Sequence, residues 1–206
     1  MVLSLFWDLA SADVTKRLAA AKELVDSLKD SESLDYSLKR LIRGLPSSRD
    51  SARLGFSLAL MHLLSTNSST WPLKTVIEHL VQFTQSNSNM KGPELRDVLF
   101  GRLFGLHAIV ESGMIKKEVN EAEKADIHSI VDLTLELSMN KEYLKQAAFA
   151  VLIKLAQKLG KENKALIDEI VEKVLEDGVN DAEHLWFCFE MLPLGAVRPI
   201  YIVNSY

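Results

Sequence analysis

The stretch that decides the fold is residues 36–64, which reads YSLKRLIRGLPSSRDSARLGFSLALMHLL. Its pattern predicts two helices joined by a tight turn at GLPS. Gly44 can end the first helix, and Pro46 cannot continue it. Ser47, followed three residues later by Asp50, has the form of a capping box for the second helix. The stretch therefore predicts a helical hairpin.

The two predicted helices differ in how their apolar residues are arranged. The first has leucines on one side and Lys39, Arg40 and Arg43 on the other. The second is apolar almost all round, which predicts that neighbouring helices enclose it. Its apolar residues are Leu54, Phe56, Leu58, Ala59, Leu60, Met61, Leu63 and Leu64.

The remainder of the chain has the same helical pattern, and no strand is predicted before Ile200. Start and stop signals divide it into helices separated by short polar loops. Caps are predicted at Asp13 and Asn180, and glycine stops at Gly113, Gly160 and Gly178. The further predicted helices cover residues 13–30, 72–83, 93–111, 122–139, 143–159, 163–176 and 180–192.

The helices have a period. The three most apolar ones are centred near Ser57, Phe104 and Ala150, about 46 residues apart, within the range of HEAT and armadillo repeats. Small residues recur in these inner helices and predict close approach of neighbouring backbones: Gly55, Ala59, Gly101, Gly105, Ala147, Ala148 and Ala150. We therefore expect an all-α protein, a right-handed α-solenoid of HEAT- or armadillo-like helix pairs, with a closed bundle as the alternative. Residues 1–192 would form one repeat domain and residues 193–206 an irregular tail.

Composition and charge restrict the class of protein. Of 206 residues, 48% are hydrophobic and 25% charged, which is typical of a folded domain. The net charge of −4 gives no general attraction to nucleic acid, so any such contact must come from a local patch. Cys188 is the single cysteine, which excludes an intramolecular disulfide and a thiolate zinc cage. Residues 1–12 lack a basic region, and no apolar run approaches 18 residues, so we expect neither a signal peptide nor a membrane span.

Motifs for catalysis are missing from the sequence. No two aspartates are spaced D-x-D, as carboxylates for a two-metal site often are. The phosphate-binding G-x-x-x-x-G-K-[ST] loop, the H-E-x-x-H zinc motif and the G-x-S-x-G nucleophile motif do not occur. We therefore predict that the chain is not an enzyme and has no catalytic residues, metal ligands or cofactor.

One basic cluster could bind a partner. Clustered guanidinium groups can hold phosphate or an acidic peptide through paired hydrogen bonds. In the alternative interpretation, Arg53 pairs with Asp50 or with an acid of another repeat, while Lys39 and Arg40 are solvated. No aromatic residue interleaves the cluster in the sequence, so stacking of bases is not expected. The candidate nucleic-acid or acidic-partner contacts are Lys39, Arg40, Arg43, Arg49 and Arg53.

The last predicted helix is too apolar for the end of a repeat array, which normally has a polar outer face. Trp186, Phe187 and Phe189 are the candidate interaction surface there. We expect the chain to be part of a longer array that self-associates or binds a partner through this helix. The alternative is that residues 193–206 fold back over it as a lid.

Three segments resemble a known family: residues 5–25 (LFWDLASADVTKRLAAAKELV), 36–60 (YSLKRLIRGLPSSRDSARLGFSLAL) and 96–113 (RDVLFGRLFGLHAIVESG). They are similar to the amino-terminal part of the DNA polymerase phi family, also called the Myb-binding protein 1a family. Its members are large nucleolar α-helical repeat proteins implicated in ribosomal DNA transcription and ribosome biogenesis. They are several times longer than this chain, usually with an acidic stretch and a basic tail that are missing here.

The resemblance implies a location in the nucleus, specifically the nucleolus. It also implies a scaffold that displays helix pairs to protein or ribonucleoprotein partners, with DNA or RNA contacted through the basic cluster. The first alternative is a cytoplasmic repeat protein that binds cargo or assemblies. An enzyme of the polymerase class is a distant third.

Overall fold

The computed structural model describes residues 2–196, and within them the chain is helical and contains no strand. The prediction of an all-α protein is therefore confirmed. Two single 3-10 turns, at Lys161–Asn163 and Leu192–Leu194, follow α8 and α10. The α-helices are α1 (Val2–Asp8), α2 (Val14–Ser27), α3 (Ser31–Gly44), α4 (Asp50–Thr66), α5 (Leu73–Phe83), α6 (Gly92–Glu111), α7 (Glu121–Asn140), α8 (Glu142–Leu159), α9 (Lys164–Val174) and α10 (Ala182–Met191).

The chain divides into two compact units. The first, Met1–Met114, contains α1 to α6, and the second begins at Ile115 and contains α7 to α10. In the first unit α4 contacts α2, α3 and α6, and in the second α8 contacts α7, α9 and α10. The single repeat domain over residues 1–192 and its solenoid arrangement stay predictions.

Glycines allow the helices of the first unit to approach closely. A methyl group on Gly55 would run into the backbone carbonyl of Leu9, and one on Gly101 would lie 2.8 Å from the Pro46 nitrogen. A methyl group on Gly105 would overlap the side chain of Leu80 in α5. The predicted close approach of backbones is confirmed at Gly55 and Gly101, and at Gly105 a side chain takes the space instead. It does not hold at Ala147 in α8, which is exposed.

Helix α4 is less enclosed than its composition predicts. Leu54 is about half exposed, because the helices that contact α4 leave one side open. The buried sides also contain polar residues, Arg53 and Ser57. The Ser57 hydroxyl donates a hydrogen bond to the Phe104 carbonyl of α6 at 3.1 Å. This contact joins the centres of two of the inner helices that define the predicted period.

The start of α4 differs from the predicted capping box. The N-cap residue is Arg49, with no side-chain cap, and the Ser47 hydroxyl accepts the Arg49 backbone N–H at 3.3 Å. The Asp50 carboxylate instead accepts a hydrogen bond from the guanidinium of Arg53. An ion pair has therefore replaced the second half of the predicted capping box.

The cap of α10 also lies one residue later than predicted. The Asp181 carboxylate accepts the His184 backbone N–H at 2.8 Å, and the Asn180 side chain donates to the Asp177 carbonyl. The other predicted end signals are confirmed. Asp13 caps α2, and Gly113, Gly160 and Gly178 have positive φ after the ends of α6, α8 and α9.

Helix α1 was not predicted from the sequence. Phe6 and Leu9 are buried, and α1 packs against α2. Leu5, Phe6 and Leu9 thus belong to the core of the first unit, whereas Trp7 is exposed. Among the described residues, no helix is long and apolar enough to cross a membrane.

Candidate functional site: an arginine–aromatic pocket

The turn between α3 and α4 opens into a cavity of about 370 Å³, which helix α1 borders on one side. We call it the arginine–aromatic pocket. It combines guanidinium groups with apolar side chains, and none of the described residues that line it is acidic. The lining residues are Phe6, Trp7, Ala10, Arg40, Arg43, Gly44, Pro46, Ser47, Arg49, Ala52 and Phe56.

Aromatic rings hold two of the arginines in place. The Arg40 guanidinium lies 4.4 Å from the centre of the Phe6 ring and donates a hydrogen bond to the Tyr36 hydroxyl. The Arg43 guanidinium lies 4.3 Å from the centre of the Phe83 ring. A guanidinium stacked on a ring keeps in-plane N–H groups that can bind an anion. Both arginines are therefore positioned before any ligand arrives.

The third arginine of the pocket, Arg49, is the N-cap residue directly before α4. Arg49 is exposed, and no side chain caps the α4 N-terminus beside it. The N-terminal end of a helix carries a partial positive charge, which favours an anion there. The electrostatics of the pocket thus favour a negatively charged group. Lys39, also predicted to contact a partner, is exposed on α3 but does not line the cavity.

Arg53 has a different environment from the other residues of the predicted basic cluster. It is only 6% exposed, and its guanidinium contacts Asp50, the Ser47 carbonyl and, at 3.3 Å, Asp97 of α6. These contacts tie the α3–α4 turn to α6 and leave Arg53 unavailable to a partner. Of the two interpretations, the structure therefore favours ion pairing for this residue.

No aromatic residue interleaves the basic cluster in the sequence, but aromatic residues from elsewhere in the chain line the pocket beside it. Phe6 and Trp7 come from α1 and Phe56 from α4, and the Trp7 side chain is 75% exposed. The sequence did not indicate this, because α1 was not recognised as a helix and lies far from α3 along the chain. An exposed indole beside three arginines gives the pocket an apolar face as well as a charged one.

The predicted surface at the carboxyl end is only partly exposed. Phe187 is fully buried, and its ring centre lies 5.6 Å from that of Phe149. Phe187 is therefore a core residue and not a contact. Phe189 is 55% exposed and Trp186 is half-buried. Self-association through this helix stays a prediction, and the tail interpretation rests largely on residues 197–206, outside the described residues.

Three carboxylates of the second unit, Glu142, Asp181 and Glu183, lie within 4.8 Å of one another. The Lys145 ammonium lies 2.7 Å from Asp181 and 3.1 Å from Glu142, so a protein cation already neutralises this group. Partial burial opposes ionisation of Asp181, but hydrogen bonds from Lys145 and His184 dominate and lower its pKa to about 2. The hydrogen bonds that Lys145 donates to Asp181 and Glu142 raise the pKa of Lys145 in turn. The arrangement is that of an ion-pair network.

Comparison with known proteins identifies the family to which the chain belongs. A family model described as DNA polymerase phi matches residues 36–186, more than half of the chain. The chain therefore belongs to the DNA polymerase phi family. No solved structure matches it.

Curated relatives agree with this assignment. The rDNA transcriptional regulator pol5 of Schizosaccharomyces pombe is 42% identical over 157 residues, 76% of this chain and 16% of the relative. The rDNA transcriptional regulator POL5 of Saccharomyces cerevisiae is 33% identical over 174 residues, 72% of this chain and 17% of the relative. Myb-binding protein 1A of Mus musculus is 33% identical over 178 residues, 84% of this chain and 12% of the relative. The chain thus spans less than a fifth of the length of these relatives, which are named as regulators or binding proteins.

Proposed function

We propose that this chain is a non-catalytic binding module that acts in ribosomal RNA production in the nucleolus. The observation that carries the proposal is the arginine–aromatic pocket, a preformed concave site with three guanidinium groups and an exposed indole. Membership of a family whose relatives are named rDNA transcriptional regulators supports the process. The name Myb-binding protein 1A supports a partner that is a protein.

The mechanism we propose is a scaffold built from helix pairs in a right-handed solenoid of the HEAT or armadillo type. Contacts at the predicted period support this arrangement. Within the first unit, Ser57 and Phe104 are hydrogen-bonded 47 residues apart, and within the second, Asn163 donates to the Lys117 carbonyl 46 residues away. Such arrays bind partners on extended surfaces and not in a catalytic cleft.

Charge reversal in the pocket tests the proposal. Cells depleted of the endogenous protein would receive the wild type or an Arg43→Glu, Arg49→Glu variant, and pulse labelling would measure precursor ribosomal RNA synthesis. Arg40 stays unchanged because it packs on Phe6, which joins α1 to α3, and also donates a hydrogen bond to the Tyr36 hydroxyl. We expect the double variant to lower synthesis at equal protein level and equal helicity. The matched control reverses two exposed lysines of the second unit, Lys116 and Lys117, by the same total charge.

Three outcomes would contradict the proposal. The first is synthesis that does not change in the pocket variant, and the second is an equal loss in the control. The third is a tagged wild-type protein that stays outside the nucleolus, which would favour the cytoplasmic cargo-binding alternative. Primer extension by the purified chain tests the polymerase alternative, and we expect no extension above background.

A further inference from the structure

We infer that the arginine–aromatic pocket binds a short acidic segment of a partner protein. An aspartate or glutamate side chain would lie on the guanidinium groups, and an apolar side chain next to it in the segment would cover Trp7. This inference rests on the proposed function, because it names the class of partner that the same site binds.

The charged half of the pocket matches a carboxylate. Arg40, Arg43 and Arg49 all border one cavity. Arginine binds a carboxylate through two parallel hydrogen bonds, which are stronger than neutral ones. The uncapped start of α4 beside Arg49 adds a partial positive charge, part of which Asp50 in the first turn offsets. A carboxylate that enters this cavity therefore has several charged donors within one small volume.

The apolar half matches a hydrophobic side chain. Trp7 is 75% exposed at the border of the cavity, and Phe6, Pro46 and Phe56 line it. Covering an exposed indole removes a large apolar surface from water. Tryptophan and arginine are also the residues most enriched among those that dominate protein–protein binding energy. The composition of the pocket is thus typical of a protein–protein contact.

The distribution of charge favours a peptide over a nucleic acid. Single-stranded nucleic acids bind along positively charged grooves in which successive aromatic rings stack successive bases. Here the arginines converge on one cavity of about 370 Å³ with one highly exposed ring, in a chain of net charge −4. A site of this size and charge accommodates one pair of side chains and is not an extended groove along which a nucleic acid could bind.

Fluorescence anisotropy with the purified chain tests the inference. The first probe is a short labelled peptide of aspartate and glutamate around a central Phe-Leu pair. A second peptide has amides in place of the acids, and a third has Ser-Gly in place of Phe-Leu. Labelled single-stranded RNA and single-stranded DNA of one mixed sequence are the nucleic-acid probes.

We expect the first peptide to bind and the amide peptide to bind at least tenfold more weakly. Arg49→Ala should weaken the first peptide roughly tenfold, because a charged hydrogen-bonding partner is lost. Trp7→Ala should weaken it roughly thirtyfold, as expected for a dominant contact residue. Trp7→Ala should leave the Ser-Gly peptide unchanged, because that peptide has nothing to cover the indole. The matched controls are Arg96→Ala and Met139→Ala, both exposed residues outside the pocket, and neither should change binding.

Three results would overturn the inference. One is that no acidic peptide binds, and another is that peptide binding survives both pocket variants. The third is that RNA or DNA binds in a manner that depends on Trp7 and Arg49 while the peptide does not. The proposed function can survive each of these results, because the effect of charge reversal on ribosomal RNA synthesis is measured independently. Conversely, peptide binding without any effect on that synthesis would contradict the proposed function alone.

Discussion

The two units of the chain differ in where their glycines lie. In the first, Gly55 and Gly105 lie inside helices, where the neighbouring helix leaves no room for a side chain. In the second, Gly160 and Gly178 follow helix ends, where φ is positive. Glycine therefore allows close packing in the first unit, where Gly113 after α6 also has positive φ, and ends helices in the second. The loss of stability on substituting a glycine, measured for a small and a large side chain, should show which of the two roles applies.

The two units also differ in how deeply their ion pairs are buried. Arg53 of the first unit is almost fully buried among Asp50, Asp97 and a backbone carbonyl. The network around Lys145 and Asp181 in the second unit keeps part of its surface in water. Burial strengthens electrostatic interactions and also raises the cost of leaving one partner alone. We therefore expect the largest effects of charge removal in the first unit.

The largest expected effect is from Arg53→Met. Removing the guanidinium leaves the Asp97 carboxylate, whose side chain is only 15% exposed, without its buried partner. We expect a loss of about 3 kcal/mol in the free energy of unfolding, measured by urea denaturation. Arg96→Met is the control, since Arg96 contacts the same carboxylate from a half-exposed position and should cost below about 1 kcal/mol.

A double variant sharpens this test. Arg53→Met with Asp97→Leu removes both charges, and part of the lost stability should return because no buried charge is left unpaired. Equal stability of Arg53→Met and Arg96→Met would contradict the burial argument. It would mean that the ion pair between α4 and α6 contributes no more than a surface pair does.

The next effect distinguishes the two kinds of glycine. Gly105→Leu should cost about 1 to 3 kcal/mol or more, because the side chain overlaps Leu80 and Leu45, and Gly105→Ala should cost less. Gly178→Ala and Gly178→Leu should both cost about 1 to 2 kcal/mol, because the strain is in the backbone, at φ +87°, and no atom lies within 4 Å of the added carbon.

The dependence on side-chain size is the decisive measurement. Thermal denaturation of the four variants should show a cost that grows with size at Gly105 and not at Gly178. Gly92→Leu is the control, because a side chain there meets open space in the first turn of α6. If Gly105→Leu melts at the wild-type temperature, the packing of α6 on α5 is wrong.

The helices and their ends could largely be predicted from the sequence, because the signals for them are local. Asp13 lies directly before α2 and caps it, and Gly160 lies directly after α8 and ends it. At two helix starts a neighbouring group intervened: Arg53 takes the Asp50 carboxylate, and Asp181 replaces Asn180 as the cap. A short-range pattern does not record which of two adjacent polar residues a cap uses.

The candidate site could be predicted only in part, because its two halves are distant in sequence. The arginines of α3 and the turn are visible as one cluster of charge. Trp7 and Phe6 join them because α1, which has only seven residues, packs on α2 and places Phe6 against Arg40 of α3. The burial of Arg53 likewise depends on Asp97 of α6, 44 residues away. Long-range packing of this kind is not encoded in the spacing of residues within one helix.

The smallest expected effect is from Asp181→Asn in the second unit. Asparagine can still cap α10, so the substitution removes the charge paired with Lys145 and keeps the cap. The pKa of Asp181 is lowered from 3.8 to about 2 in the folded state. The stabilisation is therefore complete above about pH 4 and is lost as the pH falls from there to about 2. Partial exposure reduces it to about 1 kcal/mol at neutral pH.

Urea denaturation of the wild type and Asp181→Asn across this pH range measures the difference. We expect the two proteins to differ at pH 7 and to differ much less near pH 2, where about half of the wild-type carboxylate is protonated as well. Asp132→Asn is the control, since its carboxylate pairs with Lys173 in a mostly exposed position and should contribute less. A difference for Asp181→Asn that stays constant from pH 7 to pH 2 would mean that the charge of Asp181 is not what stabilises the start of α10. In that case the start of α10 would depend on the cap hydrogen bond alone, and the pairing of Asp181 with Lys145 would contribute no stability.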